Sequence, residues 1–146
     1  MSRGVVLRGR LPSRFGRLPI YVTPEAGLRY WLAMSRVDPM LYSMVDELVR
    51  PGVTVWDIGA NVGLFSFCAA ALSGPSGFVL SVAPDLWLAQ LVGRSSQELS
   101  LGRSKCSLVQ VLCASVSNAN RLTELSVWQN SRAGVCAAAS LVGVGV

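Results

Sequence analysis

The chain contains no histidine among its 146 residues and little charge, with only 14% charged side chains. Without histidine it lacks the commonest general base, the Ser-His-Asp arrangement and every imidazole metal site. Acidic residues are also scarce, because eight carboxylates oppose thirteen basic side chains, giving a formal net charge of +5. Hydrophobic residues make up 51% of the chain, which is too many for a disordered polypeptide. The composition predicts one globular domain whose chemistry must rest on few ionisable groups.

The basic residues are concentrated near the start, where residues 1–50 hold eight arginines against four acids. Such an excess permits weak attraction to phosphates or acidic surfaces. Neither interleaved aromatic residues nor a basic amphipathic helix accompanies these arginines, so we predict a basic lead-in over residues 1–22 and no nucleic-acid partner. No secretory signal is visible, and the apolar run 133–146 is well short of the ~20 residues that span a bilayer. We therefore expect no membrane association.

The cysteines form no C-x-x-C pair and follow no zinc-ligand spacing; they are Cys68, Cys106, Cys113 and Cys136. Cys68 lies in an apolar run, where a thiol behaves as a small buried hydrophobe. This pattern favours four reduced packing residues, no metal site and a cytoplasmic location.

From residue 53 onwards, short β-branched runs alternate with apolar helical patterns, which predicts an α/β fold. Strands are predicted at residues 53–57, 78–82, 108–112 and 122–128. Helices are predicted between them at residues 64–72 and 85–99. Because each helix must fold back onto the preceding strand, this order predicts a mostly parallel sheet with right-handed crossovers.

A helical N-terminal segment is predicted ahead of this sheet. Residues 23–34 begin with Thr-Pro-Glu, a helix-start signal with an N-cap and a proline at the first helical position. A second helix is predicted over residues 38–49, ended by Pro-Gly. Within the lead-in, residues 5–7 and 18–22 have the composition of short strands.

The most informative stretch is VTVWDIGANVGLF, residues 53–65, in which a buried strand ends in Asp57 and a turn leads to a helix. Gly59 and Gly63 let the backbone turn sharply and let a ligand approach closely. Asn61 tolerates left-handed backbone angles and offers both a donor and an acceptor. The next helix begins with unpaired N–H groups. This arrangement favours a nucleotide-like ligand at the carboxyl edge of the strand.

The turn does not match the patterns that bind phosphates. A dinucleotide fingerprint requires G-x-G-x-x-G, and its second and third glycine positions are Asn61 and Leu64 here. A P-loop requires a lysine directly after its glycines, whereas the first lysine of the chain is Lys105. The carboxylate of Asp57 also favours a cationic or hydroxyl-bearing ligand over an anion. A nicotinamide-dependent oxidoreductase is therefore a disfavoured alternative.

The pattern D-x-G-x-N-x-G after an apolar strand resembles motif I of the S-adenosylmethionine-dependent methyltransferases. With its flanks, VWDIGANVGLFSF preceded by a helix and RPG, the chain is most similar to the FkbM-type methyltransferases. The resemblance runs from about Thr23 to Trp128 and includes the P-D-x-W-L-A-x-L entry into the helix after the second strand. It implies a Rossmann-like methyltransferase fold over residues 23–146. It also implies S-adenosylmethionine as the cofactor and O-methylation of a small molecule or glycan.

In that family the glycine-rich turn holds the methionine portion of the cofactor. By this resemblance the pocket is lined by Asp57, Gly59, Ala60, Asn61 and Gly63. Methyl transfer is an in-line displacement that depends mainly on alignment of the nucleophile and the methyl group. No catalytic residue is predicted.

Two features depart from the family pattern. Such enzymes usually place an acidic residue at the end of the second strand to bind the ribose hydroxyls, and Ala83 occupies that position. Losing charge-assisted hydrogen bonds there costs about 1.5–3 kcal/mol each. Asp85 is the candidate replacement, although a carboxylate at a helix start also serves as a cap. The family sheet has seven strands and only four to five are predicted here. The alternative function is therefore a truncated or degenerate methyltransferase-like domain without activity, acting as a binding or interaction module.

Overall fold

The computed structural model describes residues 4–26, 39–102 and 105–116. Its elements in chain order are β1 (Leu7–Arg10), a 3-10 turn (Ser13–Phe15), β2 (Pro19–Val22), a second 3-10 turn (Pro24–Ala26), α1 (Pro39–Leu48), β3 (Thr54–Ile58), α2 (Leu64–Ser73), β4 (Phe78–Val82), α3 (Leu86–Leu101) and β5 (Leu108–Leu112). The predicted strand at residues 122–128 and most of the predicted helix at 23–34 lie outside the described residues.

The strands β3, β4 and β5 form a parallel sheet in that order. The register aligns Val55 with Val79 and Val79 with Val109, so β-branched side chains from three strands share one level of one face. Val79 and Val109 are buried on this face. The predicted parallel pairing is confirmed for these three strands, and the mixed α/β arrangement is compatible with a Rossmann-like fold.

The helix α2 is buried on more than one side because it is apolar almost all round. Its fully buried residues include Phe67, Cys68 and Ala70. It packs against the parallel sheet and against α1. Gly74 ends it with a left-handed φ of +67° and donates its N–H to the carbonyl oxygen of Ala70 at 3.3 Å. Within the described ranges, no helix has both the length and the apolar character to cross a membrane.

The segment before the parallel sheet is more ordered than a basic lead-in. β1 and β2 pair antiparallel in a separate two-stranded sheet. Phe15 between them and Ile20 in β2 are fully buried in the same core as α2. Tyr21 donates its backbone N–H to Ser95 Oγ of α3 at 2.9 Å. A few apolar residues among the arginines are thus sufficient to attach this hairpin to the core. A division of the chain into a lead-in and a domain at residue 22 stays a prediction.

Two arginines of the hairpin form ion pairs. Arg8 binds the Glu98 carboxylate through two guanidinium nitrogens, and this hydrogen bonding lowers the pKa of Glu98. Arg14 Nη1 lies 3.3 Å from Asp46 Oδ2 of α1. Both pairs are solvent-exposed, so each contributes little to stability.

The cysteines differ from the prediction in one respect. Cys68 and Cys106 are free thiols, and burial raises the pKa of each. Cys113 is disulfide-bonded, so the prediction of four reduced cysteines is wrong. Disulfide connectivity depends on the fold and is not determined by the spacing of cysteines along the sequence alone. The cysteine pattern therefore no longer supports a cytoplasmic location.

Candidate functional site

The glycine-rich turn joins the carboxyl end of β3 to α2 and is anchored on the neighbouring strand. The backbone N–H groups of Gly59 and Ala60 both donate to the carbonyl oxygen of Val82, each at 2.9 Å. Val82 is the last residue of β4. The N–H of Gly63 donates to the carbonyl oxygen of Ala60 at 2.7 Å, which closes the turn. The turn therefore lies where the carboxyl ends of two parallel strands meet, the edge at which α/β sheets bind ligands.

Three residues of the turn have left-handed backbone angles, with φ of +84° at Gly59, +52° at Asn61 and +82° at Gly63. Glycine and asparagine adopt this region most readily. A Cβ added to Gly59 would meet no atom within 4 Å, whereas one added to Gly63 would lie 2.8 Å from Phe67 Cε2. Gly59 therefore leaves open space beside the turn, and Gly63 allows close packing of the turn on α2.

Two polar side-chain atoms in the connections at this edge are buried and unpaired. Asn61 Oδ1, in the turn, and Trp87 Nε1, in the first helical turn after β4, have no hydrogen-bond partner within the described part of the chain. An unpaired buried polar group costs about 1–3 kcal/mol, and native proteins usually pair such atoms with protein, water or ligand. The Asn61 oxygen is suited to accept a hydrogen bond from an ammonium group.

Asp57, on β3, is half-buried and hydrogen-bonded to a side chain of α2. Its Oδ2 accepts a hydrogen bond from Ser66 Oγ at 2.5 Å. Burial raises the pKa of Asp57, and the hydrogen bonds from Ser66 partly oppose this rise because they stabilise the ionised form. Sequence reasoning did not select Ser66. The available signal was a hydroxyl in an otherwise apolar helix start.

The stability of the protein is expected to depend on pH through Asp57. Because its pKa is raised in the native state, the native protein holds this proton more tightly than the unfolded chain. The free energy of unfolding should then fall as pH rises from about 4, the ordinary carboxyl range, through the raised pKa. Asp57→Asn removes this titration, so relative to the wild type it should be more stable at pH 7 than at pH 4. Urea unfolding of both proteins at the two pH values measures the change, and a constant difference would contradict the raised pKa.

Ala83 and Asp85, which follow β4, both form hydrogen bonds with backbone groups. Asp85 caps α3, since its Oδ1 accepts from the N–H groups of Trp87 at 2.8 Å and Leu88 at 3.2 Å. Ala83 is buried, and its N–H donates to the carbonyl oxygen of Leu112 at 3.1 Å. The cap gives Asp85 a structural reason to be present, and its contact with a ribose stays a prediction.

Asp85→Ala is expected to lower the free energy of unfolding by about 1 kcal/mol, the usual loss for an N-cap. Asp85→Asn keeps a capping oxygen and should lower it much less. Urea unfolding of the two variants separates these effects. An unchanged stability in the alanine variant would contradict the cap. A ribose contact would show itself as weaker cofactor binding in the stable asparagine variant.

Of the six predicted site residues, Asp57 lies on β3, and four lie in the turn that follows it: Gly59, Ala60, Asn61 and Gly63. The sixth, Asp85, follows the adjacent strand and so belongs to the same edge of the sheet. Two polar residues at or near this edge were missed by sequence reasoning, Ser66 and Trp87.

A cleft of about 470 Å³ lies elsewhere, between the first 3-10 turn and α1, and none of the predicted site residues lines it. Its charges pair with each other, as the Arg14–Asp46 contact shows. The Arg14 guanidinium also lies 4.8 Å from the centre of the Phe15 ring. The charged side chains that line this cleft therefore connect the hairpin to α1.

Comparison with known proteins gives a distant structural likeness. No protein-family model matches the chain, and no curated protein matches it. Among solved structures, the chain is similar to a SAM-dependent methyltransferase from Agrobacterium tumefaciens, with 16% sequence identity and a TM-score of 0.42. The similarity covers 79% of this chain and 34% of that one, so this chain spans about a third of that protein's length.

Proposed function

We propose that the chain binds S-adenosylmethionine at the turn of residues 57–63 and is a methyltransferase of the FkbM type. The observation that carries the proposal is the turn itself. It combines three left-handed residues, open space beside Gly59 and a buried unpaired acceptor on Asn61. The acceptor class, an oxygen of a small molecule or glycan, comes from the resemblance of residues 55–67 to that family.

The residues of the turn fit the methionine portion of this cofactor. Asn61 Oδ1 would accept a hydrogen bond from the ammonium group, which removes the cost of leaving that oxygen unpaired. The carboxylate of Asp57 would stabilise the positive charge, more strongly in a half-buried site than in water. Gly59 would leave room for the ligand beside the backbone. When bound, S-adenosylmethionine supplies an electrophilic methyl group on a positively charged sulfur.

The chain's own contribution to such a reaction would be binding and alignment. An in-line displacement gains much of its rate from holding the reacting atoms at the correct distance and angle. The absence of histidine leaves carboxylates or backbone groups to assist an acceptor hydroxyl. The proposal therefore assigns cofactor-binding residues and no catalytic base, and a cytoplasmic location stays a prediction.

A second candidate is a degenerate methyltransferase-like domain that acts as a binding or interaction module. One observation favours it. Ala83 stands where the family resemblance implies an acidic ribose ligand, and its buried methyl group offers no hydrogen-bond acceptor. A cofactor at this site would depend on the turn, and on Asp85 if that residue reaches the ribose.

Isothermal titration calorimetry of the wild-type chain at pH 7.5 tests the proposal, with S-adenosylmethionine and NAD titrated separately. We expect S-adenosylmethionine to bind with a dissociation constant between about 1 μM and 1 mM, the usual range for enzyme substrates, and NAD to give no heat. No heat from S-adenosylmethionine at millimolar concentration would overturn the proposal in favour of the degenerate module. Preferential binding of NAD would favour the oxidoreductase alternative.

A further inference from the structure

Ser66 is a fully buried polar residue in an otherwise apolar part of α2. Its Oγ lies 2.5 Å from Asp57 Oδ2 on β3 and 3.0 Å from Ser81 Oγ on β4. Ser81 is fully buried as well. Polar side chains from three neighbouring elements therefore form one hydrogen-bonded chain that begins at the candidate site and ends in the core.

The donor and acceptor in each hydrogen bond of this network depend on whether Asp57 is ionised, because each serine hydroxyl can donate only one hydrogen. An ionised Asp57 can only accept, so Ser66 donates to it and Ser81 donates to Ser66. A carboxyl protonated on Oδ2 donates to Ser66, which then donates to Ser81. Both states are hydrogen-bonded, but the ionised state receives a charge-assisted bond, which is about twice as strong as a neutral one.

We propose that Ser66 is a positioning residue of the candidate site: its hydroxyl, backed by Ser81, fixes the orientation of the Asp57 carboxylate and keeps it negatively charged for a cationic ligand. This inference rests on the proposed function, since it assigns Ser66 to the same site. Ser66 itself does not need to touch the ligand. Its effect reaches the ligand through the carboxylate.

Among the groups around Asp57, Ser66 is the one that stabilises its ionised form. Burial is the largest influence on its pKa and raises it, and the opposing influences are the side-chain and backbone hydrogen bonds from Ser66. From β4 the facing group is Ser81, and the neighbours along β3 are the apolar Trp56 and Ile58. Within the described residues, no charged side chain contributes to this pKa. Removing the Ser66 hydroxyl should therefore raise the pKa of Asp57 further.

A ligand-free titration tests the inference first. The carboxyl carbons of ¹³C-labelled aspartates are followed by NMR against pH in the wild type and in Ser66→Ala, and Asp57→Asn identifies the signal. We expect the pKa of Asp57 to rise by about one pH unit in Ser66→Ala, from the loss of a hydrogen bond to a charged group. An unchanged pKa would overturn the inference.

Ser73→Ala is the matched control for this titration. Ser73 is also fully buried on α2, but its hydroxyl donates to the carbonyl oxygen of Ala69 at 2.7 Å and contacts Ser107 at 2.6 Å. Its replacement should leave the pKa of Asp57 unchanged. If Ser66→Ala does not fold, Ser81→Ala removes only the second hydroxyl of the hydrogen-bond network. It should still raise the pKa of Asp57, but by less than Ser66→Ala. No rise in the Ser81→Ala variant would contradict the proposed network.

The affinity for S-adenosylmethionine, measured across the pH range in which the NMR titration shows Asp57 to ionise, then separates positioning from a merely structural role. Affinity should rise with pH as Asp57 ionises, and Ser66→Ala should move the midpoint upward by about one unit. Below the midpoint this variant should bind about tenfold more weakly, since one unit changes the ionised fraction tenfold. Ser66→Thr retains the hydroxyl and should restore the wild-type midpoint.

The two experiments have distinguishable failures. A structural role alone would weaken binding equally at every pH without moving the midpoint, which would overturn the inference while leaving the proposed function intact. A wild type that does not bind S-adenosylmethionine would overturn the proposed function. In that case the NMR titration still decides whether Ser66 controls the charge of Asp57.

Discussion

Gly59→Val is expected to abolish binding of S-adenosylmethionine while leaving the fold in place. The Gly59 position faces open space, where no protein atom lies within 4 Å of an added Cβ, and the proposed ligand occupies that space. A valine would put three carbon atoms there and would hold a β-branched residue at a φ of +84°. Calorimetry should show affinity lower by at least about 100-fold, equivalent to ~2.7 kcal/mol.

Gly74→Val is the control because it also forces a valine to a positive φ, at the other end of α2. Gly74 has a φ of +67°, and an added Cβ there also meets nothing within 4 Å. Each variant should lose about 1–3 kcal/mol of stability through strain, but only Gly59→Val should lose binding. Unaltered affinity in Gly59→Val would place the pocket elsewhere. Loss of binding in both variants would show that backbone strain, and not a filled pocket, abolishes the binding of S-adenosylmethionine.

Gly63→Ala is expected to lower the free energy of unfolding by about 3 kcal/mol. Its φ of +82° costs an alanine about 1–2 kcal/mol. Its Cβ would also lie 2.8 Å from Phe67 Cε2 and 3.2 Å from Val92 Cγ1. Both neighbours are fully buried, and overpacking of this kind typically costs a further 1–3 kcal/mol. Urea unfolding followed by circular dichroism measures the loss.

Gly16→Ala provides the comparison, because Gly16 is also in the left-handed helical region, with φ of +69° and ψ of 14°, and an added Cβ there would lie at an ordinary contact distance of 3.8 Å from Leu18 Cδ2. It should lose only the backbone cost of about 1–2 kcal/mol. The difference between the two variants therefore measures the packing of Gly63 against α2 and α3. Equal losses in the two variants would show that this contact is absent.

The parallel sheet was predictable because its signals are local. Short β-branched runs set the strands, and the predicted bounds of β4 and β5, residues 78–82 and 108–112, agree with the structure. The helix between these strands was equally predictable, since Asp85 supplies an N-cap just before the apolar periodicity begins. Each of these features depends on fewer than twenty consecutive residues.

The hairpin of β1 and β2 was only partly predictable because its burial depends on distant parts of the chain. Its arginines and glycines indicated a solvated lead-in, yet Phe15 and Ile20 are fully buried. Their partners belong to helices that start more than twenty residues later along the chain. A sequence pattern in the segment itself does not contain that information.

The candidate site was also only partly predictable from the sequence. The turn was found from its residue types, their spacing and the motif that they resemble, and the left-handed angles of Gly59, Asn61 and Gly63 agree with the residue types there. Ser66 was missed because its role depends on the register that brings α2 over Asp57 and Ser81. Backbone turns are encoded locally, whereas the hydrogen bonds that tune a carboxylate depend on packing.

A crystal structure of the chain soaked with S-adenosylmethionine is the most direct test of the central claim, that the turn of residues 57–63 binds this cofactor. We expect density for the methionine portion beside Gly59, with its ammonium group about 3 Å from Asn61 Oδ1. Density in the cleft beside Arg14, or a turn that is empty or filled by the protein's own side chains, would contradict the claim.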